Sequence, residues 1–217
     1  EMLRSLVGSE MCIRDSIMCI IRDMPVDSAE ALLDTAASRA GDLLGIGLDS
    51  AEVGYPPELF SHVYERAARL GLHLVAHAGE EGPADYVRQA LDFLHVERID
   101  HGVRTATDDD LVARIARDGI ALTVCPLSNH RLQVVRDVAD LPVRQLFDAG
   151  VKVTLNSDDP AYFGGYIGDN YIAMARTGMS LDELATIAEY SLKSSFATPE
   201  QKTTYANALA DWKRIHL

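Results

Sequence analysis

Cysteine is scarce in this chain of 217 residues: Cys12, Cys19 and Cys125 stand far apart and form no Cys-x-x-Cys pair. So few and scattered thiols build no disulfide framework and match a cytoplasmic protein. Long apolar runs are missing as well. The longest near the start, residues 17–21, stops at Arg22 and Asp23, far short of the ~18 residues that a membrane helix needs. Charges scattered through the first 23 residues give no secretory pattern. Positive charge is in short supply, with 20 Lys plus Arg against 33 Asp plus Glu and a net charge of −13. That balance disfavours gripping a nucleic acid polymer, whose phosphates must be neutralised. What is present suits a folded domain: 47% hydrophobic and 24% charged residues support a sizeable core and argue against disorder.

The first residues stand apart. Residue 1 is Glu, and residues 1–16, EMLRSLVGSEMCIRDS, carry neither helical nor strand periodicity. The string resembles the translated read-through of a sequencing adapter. It is expected to be non-native and is set aside, leaving residues 17–217 as the domain.

From residue 17 onward the pattern alternates. Apolar strand candidates lie at 17–21, 44–48, 72–76, 98–100, 120–125 and 151–155. Between them, helical spacing appears over 28–44, over 56–70 behind Pro56 and Pro57, and over 84–94, 108–117 and 141–148. Gly71, Gly119 and Gly150 supply left-handed stops. Ser180 with Glu183, and Thr198 with Gln201, spell capping boxes for two further helices. The strands read as continuous apolar runs, which a parallel sheet covered on both faces requires. Later strand starts fall 22–31 residues apart, the spacing of βα units. The fold class is therefore α/β, either an open doubly wound sheet or part of an eight-stranded TIM barrel.

The residues just past the strands favour the barrel, where chemistry sits at strand C-termini. They read Asp49-Ser50-Ala51-Glu52, His77-Ala78-Gly79-Glu80, Asp100-His101-Gly102, Cys125-Pro126-Leu127-Ser128-Asn129 and Asn156-Ser157-Asp158-Asp159. Each alone has a bland reading: a core histidine, a helix-terminal acid, a turn residue, an N-cap. Jointly, histidines and carboxylates at successive strand ends would converge in a closed barrel. There they can hold zinc or iron beside a carboxylate that moves protons.

The strings HAGE, IDHG, TVCPLSN and NSDDPAYF, in this order, resemble the adenosine/adenine deaminase family of metal-dependent hydrolases. The likeness runs from residue 17 to the C-terminus. GLDSAEVGYPPELF and HAGEEGPADY resemble the bacterial adenine deaminases more than the nucleoside enzymes. The resemblance implies an incomplete (β/α)8 TIM barrel with about six of eight strands, strands 1 and 2 being absent. It implies Zn2+, or Fe2+, held by His77 and Asp158. Glu80 would protonate the purine ring, His101 would orient or deprotonate the attacking water, and Asp159 would hydrogen-bond the purine N7. Ser50 and Glu52 are expected near the base pocket. The implied reaction is hydrolytic deamination of adenine to hypoxanthine and ammonia, with a small purine as substrate and no nucleic acid or membrane partner.

One departure stands out. The family resemblance implies a His-x-His pair of further metal ligands, and this sequence contains none. A catalytic zinc site takes about three protein ligands plus water, and His77 and Asp158 supply two. The polypeptide is therefore expected to bind metal weakly and to be inactive. Adenosine deamination is the nearest rival, and a non-catalytic α/β binding protein a more distant one. A Schiff-base or phosphate-binding barrel is disfavoured, because Lys152, the lysine nearest a strand, lies at its start and no Gly-rich loop follows the last strand.

Overall fold

The computed structural model describes residues 16–37 and 43–217. The segment set aside above, through residue 15, and residues 38–42 of the helix expected over 28–44 lie outside the described residues. Six strands form one sheet in chain order: β1 (Ile17–Ile21), β2 (Gly45–Asp49), β3 (His73–Ala78), β4 (Arg98–His101), β5 (Ala121–Val124) and β6 (Lys152–Leu155). Every neighbouring pair is parallel. Among the described residues β1 and β6 each pair on one side only, so the sheet is unclosed, as the six-strand partial barrel requires.

Helices link the strands: α1 (Val26–Ala37), α2 (Ser61–Arg69), α3 (Ala84–Phe93), α4 (Asp109–Asp118), α5 (Pro126–Arg131) and α6 (Val143–Asp148). Four more follow β6: α7 (Pro160–Phe163), α8 (Ile167–Arg176), α9 (Leu181–Ser194) and α10 (Pro199–His216). Both capping boxes form, at Ser180 with Glu183 and at Thr198 with Gln201. Gly119 ends α4 at φ 69°, in the left-handed region where a Cβ would be strained. The stretch expected as one helix over 56–70 begins instead as a 3-10 turn, Pro57–Phe60, before α2.

The strands alternate, which corrects their reading as continuous apolar runs. Ile46, Leu48, Ala76, Ile99, Leu122 and Val153 are each fully buried. On the opposite, concave face stand His77, Arg98, Asp100, Thr123 and Thr154, which line a shared cavity. Thr123 Oγ1 donates to Asp100 Oδ1 across that face at 2.7 Å. The physical reason is that the apolar face packs against the helices that link the strands, while the other face lines the cavity, where polar groups can pair with each other. On strands of four to six residues, so few polar side chains do not reveal the alternation.

α8 was not anticipated: the sequence analysis assigned no helix between the sixth strand and Ser180, a stretch that holds Gly164, Gly165 and Gly168. It forms through tertiary contact. Buried Asn170 accepts from the Leu127 N–H at 3.0 Å and donates to the Tyr166 carbonyl at 3.1 Å, pinning α8 to α5.

The buried strand face carries the stability. Leu122→Ala, at the centre of β5, is expected to destabilise the chain by about 2–5 kcal/mol, the usual cost of emptying a core leucine site. Urea unfolding of the two proteins measures it, and equal midpoints would contradict this packing.

Candidate active site at the strand C-termini

Four of the five residues singled out from the sequence meet at one rim. β3 runs to Ala78 and β4 to His101, so His77 and His101 are strand residues and not the first residues after a strand. Parallel pairing sets His77 opposite Asp100 and Ala78 opposite His101. The two imidazole rings lie 4.9 Å apart, centre to centre, tilted by 44°.

His77 Nδ1 lies 3.1 Å from the Leu48 carbonyl. A carbonyl only accepts, so that contact places a proton on Nδ1. His101 is 2% exposed. Its Nδ1 lies 3.1 Å from Glu80 Oε1 and its Nε2 3.8 Å from Asp158 Oδ2. Burial, and then the neighbouring His77, push the His101 imidazole well below its ordinary range and keep it neutral. The backbone there is unusual: His101 has φ 61° and Asp158 φ 55°. Left-handed backbone is disfavoured for residues with a Cβ and clusters at functional sites.

Glu80 follows β3 on the loop 79–82. Its Oε1 accepts from Asn129 Nδ2 at 2.7 Å. Burial raises its pKa to about 8, reinforced by the negative charges of Asp158, Glu52 and Glu81 and opposed by the Asn129 hydrogen bond. Asp158 Oδ2 accepts from the buried Ser128 hydroxyl at 2.7 Å. Asp159 is exposed at the start of α7, outside this hydrogen-bonded cluster. Its carbonyl accepts from the Tyr162 and Phe163 N–H groups, both at 3.0 Å.

A cavity of about 360 Å³ opens here, lined by His77, Asp100, His101, Cys125, Asn156 and Asp158 among others. Donor atoms of His101, Cys125 and Asp158 lie within 4.8 Å of one another. Imidazole, thiol and carboxylate are donors that suit zinc-like divalent ions, so the residues present fit such a group. This trio differs from the pair His77 and Asp158 that the family resemblance implies. The Cys125 thiol is held well above its ordinary range by burial and by the surrounding carboxylates.

Sequence reasoning assigned no role to Asn129, Ser128 or Arg22. The first two stand in the string TVCPLSN and were legible as polar groups at a strand end. Arg22 gave no such signal. It is fully buried and donates to the His77 carbonyl at 2.8 Å and to the Tyr55 carbonyl at 3.0 and 2.7 Å. Glu52, expected at the base pocket, is 3% exposed and turned away from it. Its carboxylate accepts backbone N–H groups of the loop 79–82. Ser50 is exposed.

Histidines and carboxylates gather at the C-terminal rim of parallel strands, the place where α/β barrels carry their chemistry. The chain belongs to the adenosine deaminase family, whose sequence model matches residues 8–212. It is 51% identical over 194 residues to an adenine deaminase of Sphingopyxis alaskensis, covering 89% of this chain and 57% of that protein. An adenine deaminase of Streptomyces coelicolor is 51% identical over 187 residues, covering 86% and 55%. Among solved structures, adenine deaminase from Arthrobacter aurescens superposes with a TM-score of 0.89 at 48% identity, covering 91% of this chain and 61% of that one. An amidohydrolase from Burkholderia ambifaria with bound zinc gives 0.89 at 30% identity, covering 98% and 60%. The chain thus spans less than two thirds of the length of these relatives.

Arg22 generates the test of this architecture. It donates to the His77 and Tyr55 carbonyls, and a buried polar group left without its partner costs about 1–3 kcal/mol. Arg22→Met is expected to lower stability by that amount in urea unfolding. An unchanged midpoint would mean that the buried guanidinium braces nothing.

Proposed function

We propose that this site belongs to an aminohydrolase that converts adenine and water to hypoxanthine and ammonia in the cytoplasm. The carrying observation is the contact of half-buried Glu80 with His101, which lines one cavity together with Asp158. The 51% identity to an adenine deaminase supports the choice of substrate.

In this reading His77 and Asp158 hold a divalent ion, with zinc preferred over ferrous iron because a neighbouring structure carries zinc. Such an ion supplies hydroxide at neutral pH by lowering the pKa of water from 15.7 to about 7. The chain's own residues do the rest. Glu80, raised to about 8, still carries its proton at pH 7 and hands it to ring nitrogen N1. That makes C6 more electrophilic and neutralises the charge that develops on the ring. His101, neutral and desolvated, would take the proton of the attacking water as the C6–O bond forms and pass it to the C6 amino group, so that the C6–N bond breaks with loss of ammonia while the C6 hydroxyl returns its proton to Glu80. Asp159, at the rim, hydrogen-bonds N7 of the purine.

The polypeptide as given, having no His-x-His pair, binds metal weakly and does not turn over. Metal analysis and an ammonia assay on the isolated chain check this, and tight stoichiometric zinc with turnover would refute it. A chimera joining the N-terminal part of the Sphingopyxis alaskensis relative to residues 17–217 tests the reaction itself. It is expected to release ammonia from adenine and not from adenosine, the reverse preference identifying the nucleoside enzyme. Glu80→Gln in the chimera is expected to lower kcat by roughly 10²–10⁴-fold, the contribution of a general acid. A chimera indifferent to Glu80→Gln would sink the assignment.

A further inference from the structure

The loop 79–82 carries Glu80 and forms no helix or strand of its own. Something else must fix it. Glu52 Oε2 accepts the N–H groups of Glu80 at 3.0 Å, Glu81 at 2.9 Å and Gly82 at 2.9 Å, while Oε1 accepts that of Gly79. Four consecutive amides thus point at one carboxylate, an anion-binding concavity filled from within the chain. The fit is close: a Cβ on Gly82 would stand 2.8 Å from the Glu52 carboxylate and 2.7 Å from the Tyr86 ring. On the other side Arg22 grips the His77 carbonyl, so opposite buried charges hold both ends of the segment from His77 to Gly82.

We infer that Glu52 is the positioning residue of Glu80, its carboxylate clamping the loop so that the Glu80 side chain stays against Asn129 and His101. The inference rests on the proposed reading only in taking Glu80 as the reacting acid. A carboxylate is needed because Gln at this position has one accepting oxygen. Serving Glu80, Glu81 and Gly82 with it would turn an NH2 group toward the Gly79 N–H. The clamp also sets a fixed negative charge behind the loop. The other groups acting on Glu80 are Asp158, Glu81, His101 and Asn129, all of which Glu52→Gln leaves in place.

The experiment needs neither metal nor purine and uses the chain itself, so a failed deaminase assay would not touch it. Amide hydrogen exchange is measured in wild type, Glu52→Gln and Glu52→Ala, and the Glu80 side-chain carboxyl is titrated by carbon NMR. Wild type is expected to protect the amides of residues 79–82 and to titrate Glu80 near about 8. Glu52→Gln is expected to lose protection first at Gly79 and to shift the Glu80 midpoint downward. Glu52→Ala should deprotect all four amides, while those of β5 stay protected and so report an intact fold. A midpoint that Glu52→Gln leaves in place would reduce Glu52 to a structural filler and overturn the inference. So would wild-type loop amides that exchange as fast as those of Glu52→Ala.

Discussion

Parallel pairing is the constraint on which the rest depends. Because all six strands run the same way in chain order, their C-termini share one rim and every strand-to-helix loop opens there. Residues 77, 101 and 158, distant in sequence, then meet without any long connection. The polar concave face and the apolar convex face follow from the same geometry. Each short strand offers alternate side chains to the helices and to the interior, and only the helix side is dry.

The rim works as a low-dielectric site with unequal charges. Burial alone disfavours the ionised form of every titratable group in it, raising Glu80 and lowering His101. Negative neighbours then widen the gap, because Asp158, Glu52 and Glu81 raise Glu80 further. The outcome is a protonated acid beside a neutral base, whereas in water at pH 7 the same carboxyl would be ionised. No single hydrogen bond produces this. It follows from packing carboxylates around a pocket whose lining guanidinium, Arg98, faces Asp100, while Arg22 is committed to backbone carbonyls.

How far the sequence revealed all this depends on range. Capping boxes at Ser180 and Thr198, and the stop at Gly119, are signals within a few residues and appear in place. His77, Glu80, His101 and Asp158 were legible because each stands at or just beyond a strand end, and strand order does the rest. Glu52 was legible as a residue and not as a role. Its partners are backbone amides 27–30 residues away, and a backbone amide has no signature in a sequence. α8 was hidden for a related reason: its glycines argue locally for a loop, and the Asn170 contacts that overrule them bind α8 to a helix some forty residues earlier.

The contact between Glu80 and His101 ties acid and base together through one hydrogen. At 3.1 Å, Glu80 Oε1 and His101 Nδ1 cannot both present lone pairs to each other without cost. While Glu80 is protonated, its O–H can face Nδ1, which puts the imidazole hydrogen on Nε2, toward Asp158. Once Glu80 has given its proton away, Nδ1–H donates to the carboxylate and Nε2 turns its lone pair to the cavity. Asn129 Nδ2, 2.7 Å from Glu80 Oε1 and 3.2 Å from His101 Nδ1, donates to Glu80 in both states and can donate to His101 only while Nδ1 is unprotonated. In the proposed reaction, protonation of the ring by Glu80 and readiness of His101 to receive a proton would be linked through this contact. That explains why a buried amide, and not a charged residue, stands between them: a fixed charge there would lock one of the two states.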